Sequence, residues 1–205
     1  MDLALPAFVT LFVVIDPVGL APIFVALTRG ASGPDRRAIG ARACLIGIAI
    51  LTLFGLAGEA VLAFVGISMP AFRIAGGILL FLTALDMLFE RRTERREGQA
   101  DEAANDPSVF PLAIPLIAGP GAIATMILLA GEVDGDARGL LAIHLTMVAV
   151  VSVAFCLFLA APLIERALGR IGILVVTRLL GMLLAALSVQ FVIDGLSTVF
   201  ATFAG

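Results

Sequence analysis

The sequence predicts an all-α integral membrane protein with six transmembrane helices forming an inverted 3+3 repeat, segments one and four being broken at Pro/Gly near midplane. Three observations carry that fold class. The 205 residues are 61% hydrophobic and 14% charged, with a mean hydropathy of +1.14, too apolar for a surface that faces water. The apolar residues fall into six stretches, each long enough for the roughly 20 helical residues that cross a hydrocarbon core of about 30 Å. The second three stretches repeat the first three at an offset of about a hundred residues.

Segment one, Leu3–Leu27, opens without the basic stretch of a cleaved signal peptide and reads as a retained span. Asp16-Pro17 interrupts it 13 residues after Leu3, which places Asp16 about 20 Å along the axis, near the bilayer centre. Pro17 has no backbone donor, and Gly19 and Pro22 oppose a regular helix through the same turn, so unwinding is expected over residues 16–22. An acid at that depth is costly and calls for a partner, a proton or a water-lined cavity, which makes Asp16 a candidate solute- or proton-binding carboxylate. Helix capping accounts for the same residues: Asp16 as N-cap with Pro17 at the first helical position.

Segment two, Ile39–Phe64, follows the Arg29–Arg37 cluster and ends at a Gly66–Pro70 corner; segment three, Met69–Phe89, carries Arg73 near its start. A charged linker separates two units, so the organisation is 1–90, first three-span repeat; 91–106, linker; and 107–205, second repeat. In segment four, Pro107–Ala130, Pro111 and Pro115 precede the break Ala118-Gly119-Pro120-Gly121. The half-helix that starts there would aim the Gly121 and Ala122 amides, and the positive end of its dipole, into the midplane, with Thr125 one turn on. Segment five, Gly139–Ile164, holds the single His144, weak evidence for a proton relay; segment six, Gly172–Phe200, holds Gln190, a candidate buried polar group.

The repeat is visible in RIAGGILLFLT (Arg73–Thr83) against RLLGMLLAALS (Arg178–Ser188), and in Asp16-Pro17 against Gly119-Pro120 at an offset of 103. Three spans is an odd number, so the second copy enters from the opposite side. Inverted repeats with matched helix breaks are the mark of secondary transporters, whose sites lie where the breaks meet. Equivalent spacing also predicts the ion pairs Glu59–Arg73 and Glu165–Arg178. If all six segments cross, eleven of the 13 basic residues, all of them Arg, share one side, and only Arg73 and Arg138 lie on the other. The positive-inside rule makes the eleven-Arg side cytoplasmic and puts both termini outside.

The net charge of −3 with Arg confined to short loops gives no nucleic-acid footprint. Cys44 and Cys156 sit in apolar segments and read as small hydrophobes; no cofactor or metal-ligand spacing is present. No Ser/His, His-cluster or Asp-pair constellation converges on one depth, so an enzyme is not expected. The partners implied are the lipid bilayer and an unknown small molecule or ion, and the small-xxx-small spacings are compatible with a homo-oligomer.

The blocks IDPVGLAPIF (15–24), RIAGGILLFLTALDMLF (73–89), PLAIPLIAGPGAIATMI (111–127) and RLLGMLLAALSVQFVIDGL (178–196) cover nearly the whole chain. As a set they resemble the MarC family of bacterial inner-membrane proteins. The resemblance implies a six-span protein of the bacterial inner membrane, loosely grouped with small-solute exporters. The function expected is therefore a secondary transporter or exporter of a small polar, amino-acid-like solute. Its candidate site is Asp16, Pro17, Gly19, Pro22, Gly119, Pro120, Gly121, Ala122, Thr125 and Gln190. A channel and a non-transporting scaffold are the alternative readings.

Overall fold

The computed structural model describes residues 4–91, 106–133 and 136–204; most of the linker lies outside the described residues. Those residues form helices joined by short turns and contain no strand: α1 (Ala4–Ile15), α2 (Pro17–Leu27), α3 (Gly33–Val65), α4 (Met69–Leu88), the irregular α5 (Ser108–Ile117), α6 (Pro120–Gly131) and α7 (Ala137–Ala204). Four elements are long and apolar enough to cross a membrane (α1 with α2, α3, α4 and α7), or five if the bent pair α5–α6 is one span. α7 is far longer than one crossing. It is interrupted at Gly169 (φ 60°, ψ 179°), giving arms 137–168 and 170–204.

Local chemistry sets the starts and stops. Ser32 and Ser68 sit in extended backbone and accept from the amides of Asp35 (3.3 Å) and Ala71 (3.4 Å), each ahead of a proline in the first turn of α3 and α4. Gly66 closes α3 in the left-handed conformation that a glycine adopts without a Cβ penalty. Asp136 accepts from Arg138 N and Gly139 N, both at 3.0 Å, to start α7.

The broken elements are innermost. In α1–α2, 61% of the most apolar stretch is buried against 22% in α3 and 28% in α4, and α6 buries almost every residue from Gly121 to Leu129. The outer helices α3, α4 and α7 bury a narrow stripe and turn the rest outward, as with Phe64 (92% exposed) and Ile171 (79%). Such side chains are suited to lipid contact. The α3 stripe is largely glycine: Gly47 meets Ile117, Gly55 meets His144 and Met126, and Gly58 meets Ile127.

α4 and the second arm of α7 run antiparallel. Gly77 abuts Ser188 and Val192, Gly181 abuts Ala84 and Met87, and Gly195 abuts Pro70 and Ile74. A Cβ on Gly77 would lie 2.8 Å from the Ser188 carbonyl oxygen and 3.1 Å from Val192 N, backbone atoms that cannot rotate away. Gly77→Ala should therefore destabilise by about 1–3 kcal/mol. At Gly33, where nothing lies within 4 Å of an added Cβ, alanine should be neutral or slightly stabilising. Thermal unfolding of both variants in detergent checks the contrast, and equal midpoints would contradict it.

This antiparallel pairing corrects the expected ion pairs. Arg73 Nη2 contacts Glu132 Oε1 at 3.5 Å, and Arg178 pairs with Glu90. Glu59 is exposed, and neither it nor Glu165 is the partner of these arginines. The start of each helix lies beside the end of its neighbour, so each Arg meets an acid from another element before one from its own half.

A third pair ties α3 to the entry of α5: Arg42 Nη1 donates to Asp106 Oδ2 at 2.8 Å. Asp106 Oδ1 also accepts from the Ser108 hydroxyl (2.6 Å) and amide (3.0 Å). The Ser108 hydroxyl and amide, with Arg42 behind them, hold the Asp106 carboxyl below the usual carboxylate range. A depressed folded value means that the stabilisation is present above the unfolded value, near 3.8, and disappears as pH falls through the folded one. Asp106→Asn should therefore lower the melting midpoint at pH 7, with the deficit closing below about pH 4. A deficit that persists in acid would assign the effect to something other than this charge.

Candidate functional site

The interruption of segment one is a single residue. α1 ends at Ile15, Asp16 takes φ 56°, ψ 63°, and α2 resumes at Pro17 and runs through Gly19 and Pro22. The expectation of unwinding over 16–22 is thus corrected. Asp16 Oδ1 accepts from Gly19 N at 3.1 Å and Pro17 occupies the first turn, where no donor is required, so helix restarts at once. Backbone bonds bracket the residue on both sides: Asp16 N donates to Phe12 O (2.9 Å) and Leu20 N to Asp16 O (3.1 Å).

Segment four is disturbed over a longer stretch. The Phe110–Pro111 and Ile114–Pro115 bonds are cis, Phe110 and Ile114 are extended, and the bonds Leu112 N to Pro107 O (3.3 Å) and Ala118 N to Ala113 O (2.8 Å) span five residues. α6 then leaves α5 at 54°. Gly119 is its N-cap, with extended backbone and no side chain to bond the first-turn amides, so Gly121 and Ala122 present theirs to the space ahead of the helix. Gly121 itself is helical, which narrows the expected break of 118–121 to Ala118 and Gly119.

The two interruptions lie side by side. A Cβ placed on Gly121 would be 3.3 Å from Val14 Cγ1, two residues before Asp16, 3.3 Å from Leu80 Cδ2 and 3.9 Å from Thr83 Oγ1. Asp16, Leu80 and Thr125 are fully buried, and Val14, Ile15, Gly121 and Ala122 are buried with them. Gly19, Pro22 and Gly119 are partly exposed, while Pro120 is exposed. Asp16 and the first buried residues of α6, Gly121 and Ala122, thus lie in the buried part of the helix bundle, linked through the approach of Val14 to Gly121.

Several candidates have other uses. Thr125 Oγ1 donates to Gly121 O at 2.8 Å, a back-bond within its own helix. Gln190 is exposed and donates from Nε2 to Asp194 Oδ1 at 2.7 Å, so it leaves the site. Thr83 Oγ1, 3.9 Å from a Cβ placed on Gly121, donates to Leu79 O at 3.0 Å. His144 bonds Leu140 O through Nδ1 at 2.8 Å, and its buried Nε2, which has no hydrogen-bond partner among the described residues, faces Gly55 and Met126. Among the described residues no three His, Cys, Asp or Glu side chains are grouped to hold a metal ion.

The chain matches the model of the MarC family of integral membrane proteins over residues 1–200. It is 39% identical over 194 residues to a membrane protein of Archaeoglobus fulgidus, covering 93% of this chain and 91% of that one. To a membrane protein of Methanocaldococcus jannaschii it is 35% identical over 193 residues, covering 93% and 94%. It is also 35% identical over 196 residues to the inner membrane protein YhgN of Escherichia coli K12, covering 96% and 97%. No solved structure matches it.

Proposed function

This chain belongs to the MarC family of integral membrane proteins, and from that premise we propose that it is a secondary transporter, not an enzyme, moving a small polar solute across the bacterial inner membrane. The observation that carries the reading is the contact of Val14 with Gly121 beside a fully buried Asp16: two helix interruptions meet in the protein interior. Counting the two arms of α7 as separate crossings makes six spans. The matched breaks and the antiparallel Gly77 and Gly181 contacts then support an inverted 3+3 repeat. The solute class best served is a small zwitterion, its carboxylate at the Gly121 and Ala122 amides and its ammonium at Asp16. Asp16, Gly121 and Ala122 are buried in this conformation, which is compatible with an occluded carrier. A scaffold would bury Asp16 equally, and flux separates the two.

The membrane proposed is the inner one, by analogy with the E. coli relative, and the Arg distribution supports termini on the outer side. Reporter fusions at Gly98 and Gly205 should give opposite answers; a cytoplasm-only reporter active at Gly205 inverts the assignment. The functional test is uptake into proteoliposomes of radiolabelled small neutral amino acids, mixed, under an imposed pH gradient. Saturable accumulation dependent on the gradient is expected. Rapid electrical, non-saturating flux would make the protein a channel, and no flux above empty liposomes would leave the scaffold reading.

A further inference from the structure

Glu132 closes α6, just past the apolar span, with its amide bonded to carbonyls of the last turn. Its carboxylate meets charge from two other elements. From α4, Arg73 donates through Nη2 at 3.5 Å, the outer limit of a hydrogen bond. From the second arm of α7, Asp194 acts on it electrostatically. The register explains this proximity: Gly195 packs against Pro70 and Ile74, so Asp194 stands beside the first turns of α4, where Arg73 is rooted. In the next loop Asp136 is engaged in capping Arg138 and Gly139, and on α3 Glu59 is exposed.

One guanidinium therefore serves a site with two carboxylates. The Arg73 side chain is only 19% exposed, its buried Nε has no hydrogen-bond partner among the described residues, and its contact to Glu132 is long. Asp194 accepts from Gln190 at 2.7 Å. The three charges sum to −1, and the α6 C-terminus adds partial negative charge. Burial raises the Glu132 carboxyl above its ordinary range; Arg73 pulls it down and Asp194 pushes it up, leaving it raised. Arg178 with Glu90, at the other end of the same helix pair, differs in kind: those side chains are 48% and 41% exposed.

We propose that Glu132 is a proton-binding site at the outer end of the bundle, whose protonation releases Arg73 to Asp194 and so unties the end of α6 from α4. α6 begins at the central break, so a proton bound at one end of this helix loosens the element whose other end offers the Gly121 and Ala122 amides. The step is a proton transfer from hydronium to a carboxylate: an O–H bond of hydronium breaks and one on Glu132 forms, water is released, the carboxylate charge is neutralised, and the guanidinium keeps its charge with Asp194 as counterion. The inference rests on the transport reading for its use and on side-chain geometry for its existence.

The test is an infrared titration of carboxyl bands in the full-length protein in lipid nanodiscs. With the buried Asp16 replaced by asparagine in every variant, one carboxyl should titrate above the ordinary glutamate value of about 4.3. That band should vanish in Glu132→Gln, move to lower pH in Asp194→Asn and move to higher pH in Arg73→Gln. A band that survives Glu132→Gln, or a midpoint unmoved by both neighbouring substitutions, overturns the site. If Glu132→Gln does not insert, the opposite shifts in the other two variants still decide. For the release, spin labels at Ala71→Cys and Ala130→Cys, with Cys44 and Cys156 replaced by alanine, should show a longer and broader distance distribution below the midpoint. Glu132→Gln should give the broad distribution at every pH. A distance independent of pH overturns the untying, and neither readout involves flux, so failure of the transport reading is scored separately.

Discussion

Asp16→Asn is expected to abolish solute flux driven by a proton gradient while leaving the protein inserted and folded. The two consequences separate because of where the side chain sits. Asp16 is fully buried, holds a left-handed conformation, and receives the Gly19 amide at 3.1 Å. Asparagine keeps an oxygen for that amide and is among the non-glycine residues that best tolerate the conformation, so cap and backbone survive at a cost well under about 1 kcal/mol. What is lost is the capacity to carry a charge or a proton at this buried acid. Asp16→Ala is the poorer experiment, since it forfeits a cap worth about 1 kcal/mol and places alanine in a left-handed residue at a further cost of about 1–2 kcal/mol. Reduced flux in that variant could come from misfolding. Gradient-driven uptake by Asp16→Asn at the wild-type rate, with an unchanged melting midpoint, would take the carboxylate out of the mechanism.

What the sequence revealed follows from what is local. The Gly66–Pro70 corner and the positions of both breaks, Asp16-Pro17 and Gly119-Pro120, are set by chemistry within a few residues, whereas the Ser32 cap starts α3 at Gly33, ahead of the expected Ile39. The length of the first break was not legible from composition, because a proline and a glycine weaken a helix while the Asp16 cap restores it one residue later. Gln190 was misjudged for a different reason. The residues of its helix that face the protein are 181, 184, 188, 191 and 195, a helical stripe that leaves 190 outward, so periodicity and not polarity was the signal to follow. The ion pairs lay beyond local reasoning. Arg73 and Glu132, or Arg178 and Glu90, meet only once α4 is laid against α6 and α7, and repeat spacing says nothing about which neighbour arrives first.

The second large effect is expected from Gly19→Ala, which keeps the charge of Asp16 and displaces it. On helix propensity alone the change should help, since alanine is favoured over glycine inside a helix by about 1 kcal/mol. Here the added Cβ would overlap Oδ2 of Asp16 and lie 2.9 Å from its Cγ and 3.0 Å from Oδ1. The carboxylate must swing away, which breaks its bond to the Gly19 amide and leaves an anion in a buried site with one donor fewer. Loss of the cap contributes about 1–2 kcal/mol, enough to reverse the propensity gain, and the carboxylate no longer points where a solute between Asp16 and α6 could meet it. Stability and flux should therefore fall together. A double-mutant cycle isolates the cause: in an Asp16→Gly background no side chain remains to collide, so Gly19→Ala should become neutral or stabilising, and the two changes should couple strongly. Additive melting shifts, or full transport by Gly19→Ala alone, would show that the contact between these two residues does not hold the carboxylate in its working position.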